Sequence, residues 1–142
     1  MDSIRIFGYK SFKKLSVQLH PINLLIGANG AGKSNFLSLF EMLGNIYEKR
    51  LGAYVAQVGG VDKLLYQGRK VTDRIAVSLL IAKSEYDLAL LESDGKLIVE
   101  REAIGCYDDV CPLDLVRKNV ITEYQSESSL KDHKEEDLSN YI

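Results

Sequence analysis

No stretch of this chain approaches the roughly 18 consecutive apolar residues that a membrane-spanning helix needs. The first residues, with Asp2 and Arg5 in an alternating pattern, do not resemble a signal peptide. A cytoplasmic protein without a membrane partner is therefore expected. Charge of one sign is also scarce. A formal net charge of −2 gives no global attraction for nucleic acid or for an anionic membrane and leaves only a local basic patch open. Cysteine is limited to Cys106 and Cys111, with Asp108 and Asp109 between them and no second pair to complete a zinc site. Two reduced, partly buried thiols in a reducing compartment are the expectation. Neither His20, a half-buried strand residue by its position before Pro21, nor His133, in a solvated charged segment, has partners that suggest catalysis or metal binding. There is no internal repeat and no low-complexity linker, so nothing calls for a second domain. The 142 residues, 46% hydrophobic and 27% charged, suffice for one soluble domain with a core.

One stretch carries chemistry. Gly27, Ala28, Asn29, Gly30, Ala31, Gly32, Lys33 and Ser34 fit the pattern G-x-x-x-x-G-K-[ST] in full. Upstream, Pro21 to Ile26 is a short apolar run that reads as a buried strand, and downstream Asn35 to Leu43 has apolar residues at helical spacing. Gly27, Gly30 and Gly32 are expected to let the backbone take positive φ and approach an anion, so that successive N–H groups converge on a phosphate. The start of the helix adds its positive dipole end. Lys33 is placed to reach the β- and γ-phosphates, and Ser34 to offer a hydroxyl to Mg²⁺ held between them. The implied ligand is ATP with Mg²⁺.

The rest of the chain divides coarsely. Ile4 to Phe7 and Leu15 to Leu19 read as an antiparallel pair of strands joined by Gly8 to Lys14. The helix begun near Lys33 runs to about Gly44 or beyond, and Tyr47 to Val58 continues it or forms a second helix, ended by Gly59-Gly60. Val61 to Tyr66 reads as a short helical turn. Arg74 to Ile81, Tyr86 to Glu92 and Lys96 to Glu102 read as an antiparallel meander, with Asp94-Gly95 as a hairpin signal, and a further strand is expected near Val120 to Tyr124. Residues 1–125 form the expected ATP-binding lobe, and 126–142 a polar tail or isolated helix with a capping-box start at Ser128.

The order Ile6-Phe7-Gly8-Tyr9-Lys10-Ser11-Phe12, a strand, then Ile26 to Leu37 with Asn29 and Asn35 resembles the start of SMC and RecF-type ATPases. Gly59 to Gly68 and the meander resemble the OLD-like branch, some members of which act in phage defence. The resemblance covers residues 1 to about 105, and most closely those up to Gly44. It implies an α/β fold: the N-terminal lobe of an ABC-type P-loop ATPase head, incomplete without a C-terminal lobe. It also implies a role in DNA repair or maintenance or in phage defence. In such heads ATP is held between two copies. The partners implied are a second head or the missing lobe, self-association through open sheet edges, and DNA reached through the full assembly.

The other parts of such a head are missing from the sequence. No apolar run ends in Asp-Glu; Leu88 to Glu92 leads into a hairpin turn. No Leu-Ser-Gly-Gly stretch occurs, and Leu138-Ser139-Asn140-Tyr141 is not a substitute. Gln125 reads as a solvated residue rather than the glutamine of a catalytic loop. Binding without efficient hydrolysis by this chain alone is expected, since phosphoryl transfer needs a positioned metal, water and extra charge. The catalytic residues stay unassigned, and cofactor contacts are assigned to Gly27 through Asn35 with Ser34 at the metal. Lys10, Lys13 and Lys14 read either as a solvated turn or as a loop touching phosphate, base or partner. Tyr9 and Phe12 read as core or hairpin residues. The alternative to an ATPase lobe is a non-catalytic module that regulates a full-length partner; a small kinase or GTPase is disfavoured by the missing Asn-Lys-x-Asp motif.

Overall fold

The computed structural model describes residues 1–82, 84–106 and 119–132. Six strands form one sheet: β1 (Ser3–Tyr9), β2 (Phe12–Gln18), β3 (Arg74–Ile81), β4 (Ser84–Ser93), β5 (Lys96–Cys106) and β6 (Asn119–Gln125). Their spatial order is β2-β1-β3-β4-β5-β6, and every neighbouring pair is antiparallel. Two helices, α1 (Lys33–Tyr47) and α2 (Leu51–Gln57), and a 3-10 turn at Val61–Lys63 lie between β2 and β3 in the chain. An α/β fold is thus present, and the expected meander from Arg74 onward forms as read.

Alternation decides which face is covered. Ile4 and Ile6 of β1, Ile75, Val77 and Leu79 of β3, Leu88 and Leu90 of β4, and Leu97 and Val99 of β5 are buried in one cluster. In α1, Phe36, Leu39, Met42 and Ile46 recur at three- and four-residue spacing and are buried, so one stripe of the helix packs into this cluster. Leu51, Tyr54 and Val55 of α2 join them. The short α2 is capped from far along the chain: the Glu127 carboxylate accepts the backbone N–H groups of Leu51 at 2.9 Å and Gly52 at 3.3 Å.

Three local expectations are corrected. The connection between the first two strands is the two-residue turn Lys10-Ser11 rather than a seven-residue loop, because Tyr9 pairs with Phe12 and Lys10 accepts φ 46°. The first helix continues past Gly44 to Tyr47 and the second is separate, one of the two arrangements expected from the sequence. Val61–Lys63 is a single 3-10 turn, after which Leu65 bridges back to Tyr9.

Pro21 to Ile26 is not a strand. The backbone N–H of His20 donates to the Asn23 Oδ1 at 2.9 Å and Asn23 Nδ2 returns a bond to the His20 carbonyl, which makes a turn. His20 is exposed and outside any strand, and Ile22, Leu24 and Ile26 are 90%, 81% and 83% exposed. A buried strand needs neighbours for its ladder and for both its faces, and among the described residues no strand pairs with this one.

Candidate nucleotide site

The loop Gly27–Ser34 runs directly into α1, whose first residue is Lys33. Gly32 caps the helix at φ 92°, no side chain bonds to the free N–H groups there, and the first turn holds no acidic residue. The helix therefore presents unpaired donors and its positive dipole end toward the loop. Gly30 is also at positive φ, 83°, with open space where a Cβ would be. Gly27 does not take positive φ, contrary to expectation; its constraint is steric, since a Cβ there would stand 3.1 Å from that of Ala31.

Lys33 folds back over the loop. Its Nζ donates to the carbonyls of Gly27 at 2.6 Å and Ala28 at 2.8 Å, so a positive charge is already held inside the loop's curve. Ala28, Asn29, Ala31 and Ser34 are exposed along the same stretch. These residues fit a nucleoside triphosphate with Mg²⁺: an uncapped helix start, two left-handed glycines, a lysine at the concave side and a hydroxyl one residue further on.

The tip of the β1–β2 hairpin holds the start of α1. Asn35 Nδ2 donates to Ser11 Oγ at 2.9 Å, and a Cβ on Gly32 would meet the Phe12 ring at 3.1 Å. Ser38 receives Lys10 Nζ at 2.7 Å, shares a hydrogen bond with the Tyr9 hydroxyl at 3.0 Å, and donates to the Asn35 carbonyl at 3.0 Å. The Tyr54 hydroxyl donates to the Ser38 carbonyl at 3.3 Å. Tyr9 is fully buried and Phe12 packs against the core, as the hairpin reading expected. Burial pushes the Tyr9 and Tyr54 hydroxyls up and the Lys10 ammonium down from their ordinary ranges. Lys13 and Lys14 lie on β2 and are exposed.

Other residues weighed in the sequence fall elsewhere. Glu92 accepts the Gly95 N–H at 2.7 Å within the β4–β5 hairpin, so its carboxylate serves the turn. Gln125 is exposed at the end of β6, with β3, β4 and β5 between that strand and β1. Among the described residues no three His, Cys, Asp or Glu side chains come together as a metal cluster. The side chain of Cys106, and Cys111, His133 and Leu138 to Tyr141, lie outside the described residues. The sequence reading missed Lys63, Arg69 and Lys70, which the chain brings beside Lys10 and Asn35; their clustering within eight residues was the available signal.

An antiparallel sheet covered by two helices, with a glycine-rich loop opening the first, fits the α/β fold of an ATPase lobe. The family model for the AAA ATPase domain matches residues 1–142, and the chain belongs to that family. No curated protein matches the chain.

Proposed function

We propose that the chain binds ATP with Mg²⁺ through a Walker A loop at Gly27–Ser34, as the N-terminal lobe of an ABC-type P-loop ATPase. The observation that carries this is the position of Lys33 Nζ, 2.6 Å from the Gly27 carbonyl, at the mouth of an uncapped helix. In this reading Lys33 exchanges the two loop carbonyls for β- and γ-phosphate oxygens. The N–H groups of Gly30 through Ser34 would face the β-phosphate and Ser34 would hold the metal, while Asn35 keeps the hairpin against the helix start. Bound Mg²⁺ would neutralise charge on the phosphates and draw them into one geometry.

The proposed partner is a C-terminal lobe or second head, and the wider role is DNA maintenance or phage defence. The exposed run Ile22 to Ile26, an apolar segment beside the loop with no strand against it among the described residues, supports a partner that covers it. Glu92 is engaged in its hairpin, which favours binding over turnover by this chain and keeps a regulatory, non-catalytic role as the second reading.

The test is ATP affinity and hydrolysis with magnesium, in the wild type and Lys33→Ala. The loss of a charge-assisted contact, about 1.5–3 kcal/mol, predicts affinity lower by roughly 10- to 100-fold in the folded variant, with slow hydrolysis in both. Unchanged affinity would remove the loop assignment, and fast Lys33-dependent hydrolysis would show that this chain completes a catalytic site.

A further inference from the structure

Alternation gives the sheet a second face. The buried residues of β1, β3 and β4 point to the helices, so Phe7, Ala76 and Ala89 between them point the other way. Register sets these three in one line across the strands, with Lys14 of β2 at one end and Arg101 of β5 at the other: Lys14 pairs with Phe7, Phe7 with Ala76, Ala76 with Ala89, and Ala89 with Arg101. A trough of about 320 Å³ lies over this line. Its floor is low because two of the side chains end at Cβ, and the Phe7 ring, 43% exposed, stands beside them.

Neighbouring strands are spaced about 4.8 Å apart, which separates Lys14 from Arg101 by about 19 Å. Both are exposed, and among the described residues neither has an ion-pair partner. The acids nearby are disposed differently. Glu85 is bonded to Arg5 and accepts the Ser78 hydroxyl at 2.8 Å, and Glu100 accepts Arg74 at 2.7 Å. Glu123 lies opposite Arg101 on β6 without an ion contact to it, and Asp87 lines the trough two residues along β4 from Ala89. The line thus has a cation at each end, an apolar middle and a carboxylate beside that middle. A nucleic acid strand, with a charge about every 3.4 Å of helix axis, would press phosphates on Asp87 and on the alanine floor. A segment with two separated carboxylates and an apolar side chain between them meets neither obstacle.

We propose that this face docks an extended acidic segment of a partner protein, which seats one apolar side chain over Ala76 and Ala89 and sets carboxylates on Lys14 and Arg101. Six residues of extended chain, at about 3.3 Å each, cover the distance between the two cations. The docking surface uses no residue of the nucleotide loop and does not depend on its assignment.

The experiment is fluorescence anisotropy of the labelled heptapeptide Glu-Ser-Ala-Leu-Ala-Ser-Glu, blocked at both ends, with the full chain at low and high salt. Wild type is compared with Lys14→Ala/Arg101→Ala and with Ala89→Phe, which fills the trough and keeps both cations. Binding that weakens with salt is expected for the wild type. Loss of two exposed ion pairs should weaken binding by about tenfold in the double variant, and the same peptide with glutamine for both glutamates should bind the wild type as weakly. Ala89→Phe should also bind more weakly, with the salt dependence retained. Lys14 and Arg101 are exposed and unpartnered among the described residues, so the double variant should keep the wild-type denaturation midpoint. A wild type that does not bind the peptide would overturn the proposal, as would equal affinity in wild type and double variant. Displacement of the peptide by a single-stranded oligonucleotide as effectively as by unlabelled peptide at equal charge would overturn the protein partner in favour of a nucleic acid.

Discussion

Gly8 shows how a single position can be fixed by backbone geometry and not by packing alone. It follows the last β1–β3 pair, Phe7 with Ala76, at φ 72°, and a Cβ there would lie 2.1 Å from the Arg74 carbonyl oxygen and 2.9 Å from the Thr72 methyl. Neither obstacle can yield cheaply, since the first is backbone of the neighbouring segment. Left-handed geometry costs a side-chain-bearing residue about 1–2 kcal/mol, and overpacking adds about 1–3. Gly8→Ala is therefore expected to destabilise the fold by about 3 kcal/mol, read as a lower denaturation midpoint in urea; a shift of under 1 kcal/mol would mean that the β1 end relaxes freely. Gly32 differs, because its Cβ would meet side-chain atoms rather than backbone: the edge of the Phe12 ring at 3.1 Å and Ser11 Oγ at 3.2 Å. At the residue scale part of the loop was legible: eight residues specified the lysine and the left-handed glycines at 30 and 32. What was not legible was that Gly27 is held by its closeness to Ala31 rather than by φ, since a glycine in a sequence does not say which of its two freedoms is used.

Among the elements, β3 to β6 were legible because period-two alternation and an Asp-Gly turn are local signals that their antiparallel neighbours confirm. Asp94 and Gly95 take φ 51° and 77°, as a two-residue hairpin turn requires. The capping of α2 by Glu127 was not legible, since a pairing across 75 residues leaves no trace in local pattern. A polar group inside the sheet was equally hidden. Tyr86 of β4 donates its hydroxyl to Glu102 of β5 at 2.6 Å, and Ser128 donates to the same carboxylate at 2.7 Å, so one buried acid joins two strands and the segment after β6. Burial, with the Glu102 charge adding to it, pushes the Tyr86 hydroxyl well above its ordinary range. An unfolded chain ionises its tyrosines near pH 10, while the folded chain holds Tyr86 neutral. Above that pH the unfolded state binds fewer protons, and stability falls as pH rises. Tyr86→Phe should thus lose about 1.5–3 kcal/mol near neutral pH, from the hydrogen bond to a charged group, yet show a shallower decline above pH 10. Tyr9 and Tyr54, also raised by burial, keep part of the slope. Denaturation midpoints measured from pH 8 to 11 test this, and parallel curves for the two proteins would remove Tyr86 from the account.

For the whole molecule, the run before the loop matters most, because the same apolar pattern that reads as a buried strand is laid out in water. Ile22, Leu24 and Ile26 are each more than 80% exposed, and β2 forms the sheet's edge beside them in the chain. Covering one such side chain is worth about 1.5–3 kcal/mol, so three of them in five residues favour any surface that removes them from water. With a partner lobe present, that surface is the lobe's; with this chain alone, another copy is the available one. Sedimentation velocity of the chain over a wide concentration range is expected to show reversible self-association. Leu24→Ser/Ile26→Ser should weaken it by about tenfold or more per residue at the cited burial values. These two positions lie outside every element and the core, so the variant should keep the wild-type denaturation midpoint. If both proteins sediment as monomers throughout, the run is solvated by itself and needs no covering lobe. If both associate equally, another face of the sheet is responsible. Association that the serines abolish would identify the segment leading into the nucleotide loop as the surface a partner covers, and would place partner binding within a few residues of Lys33.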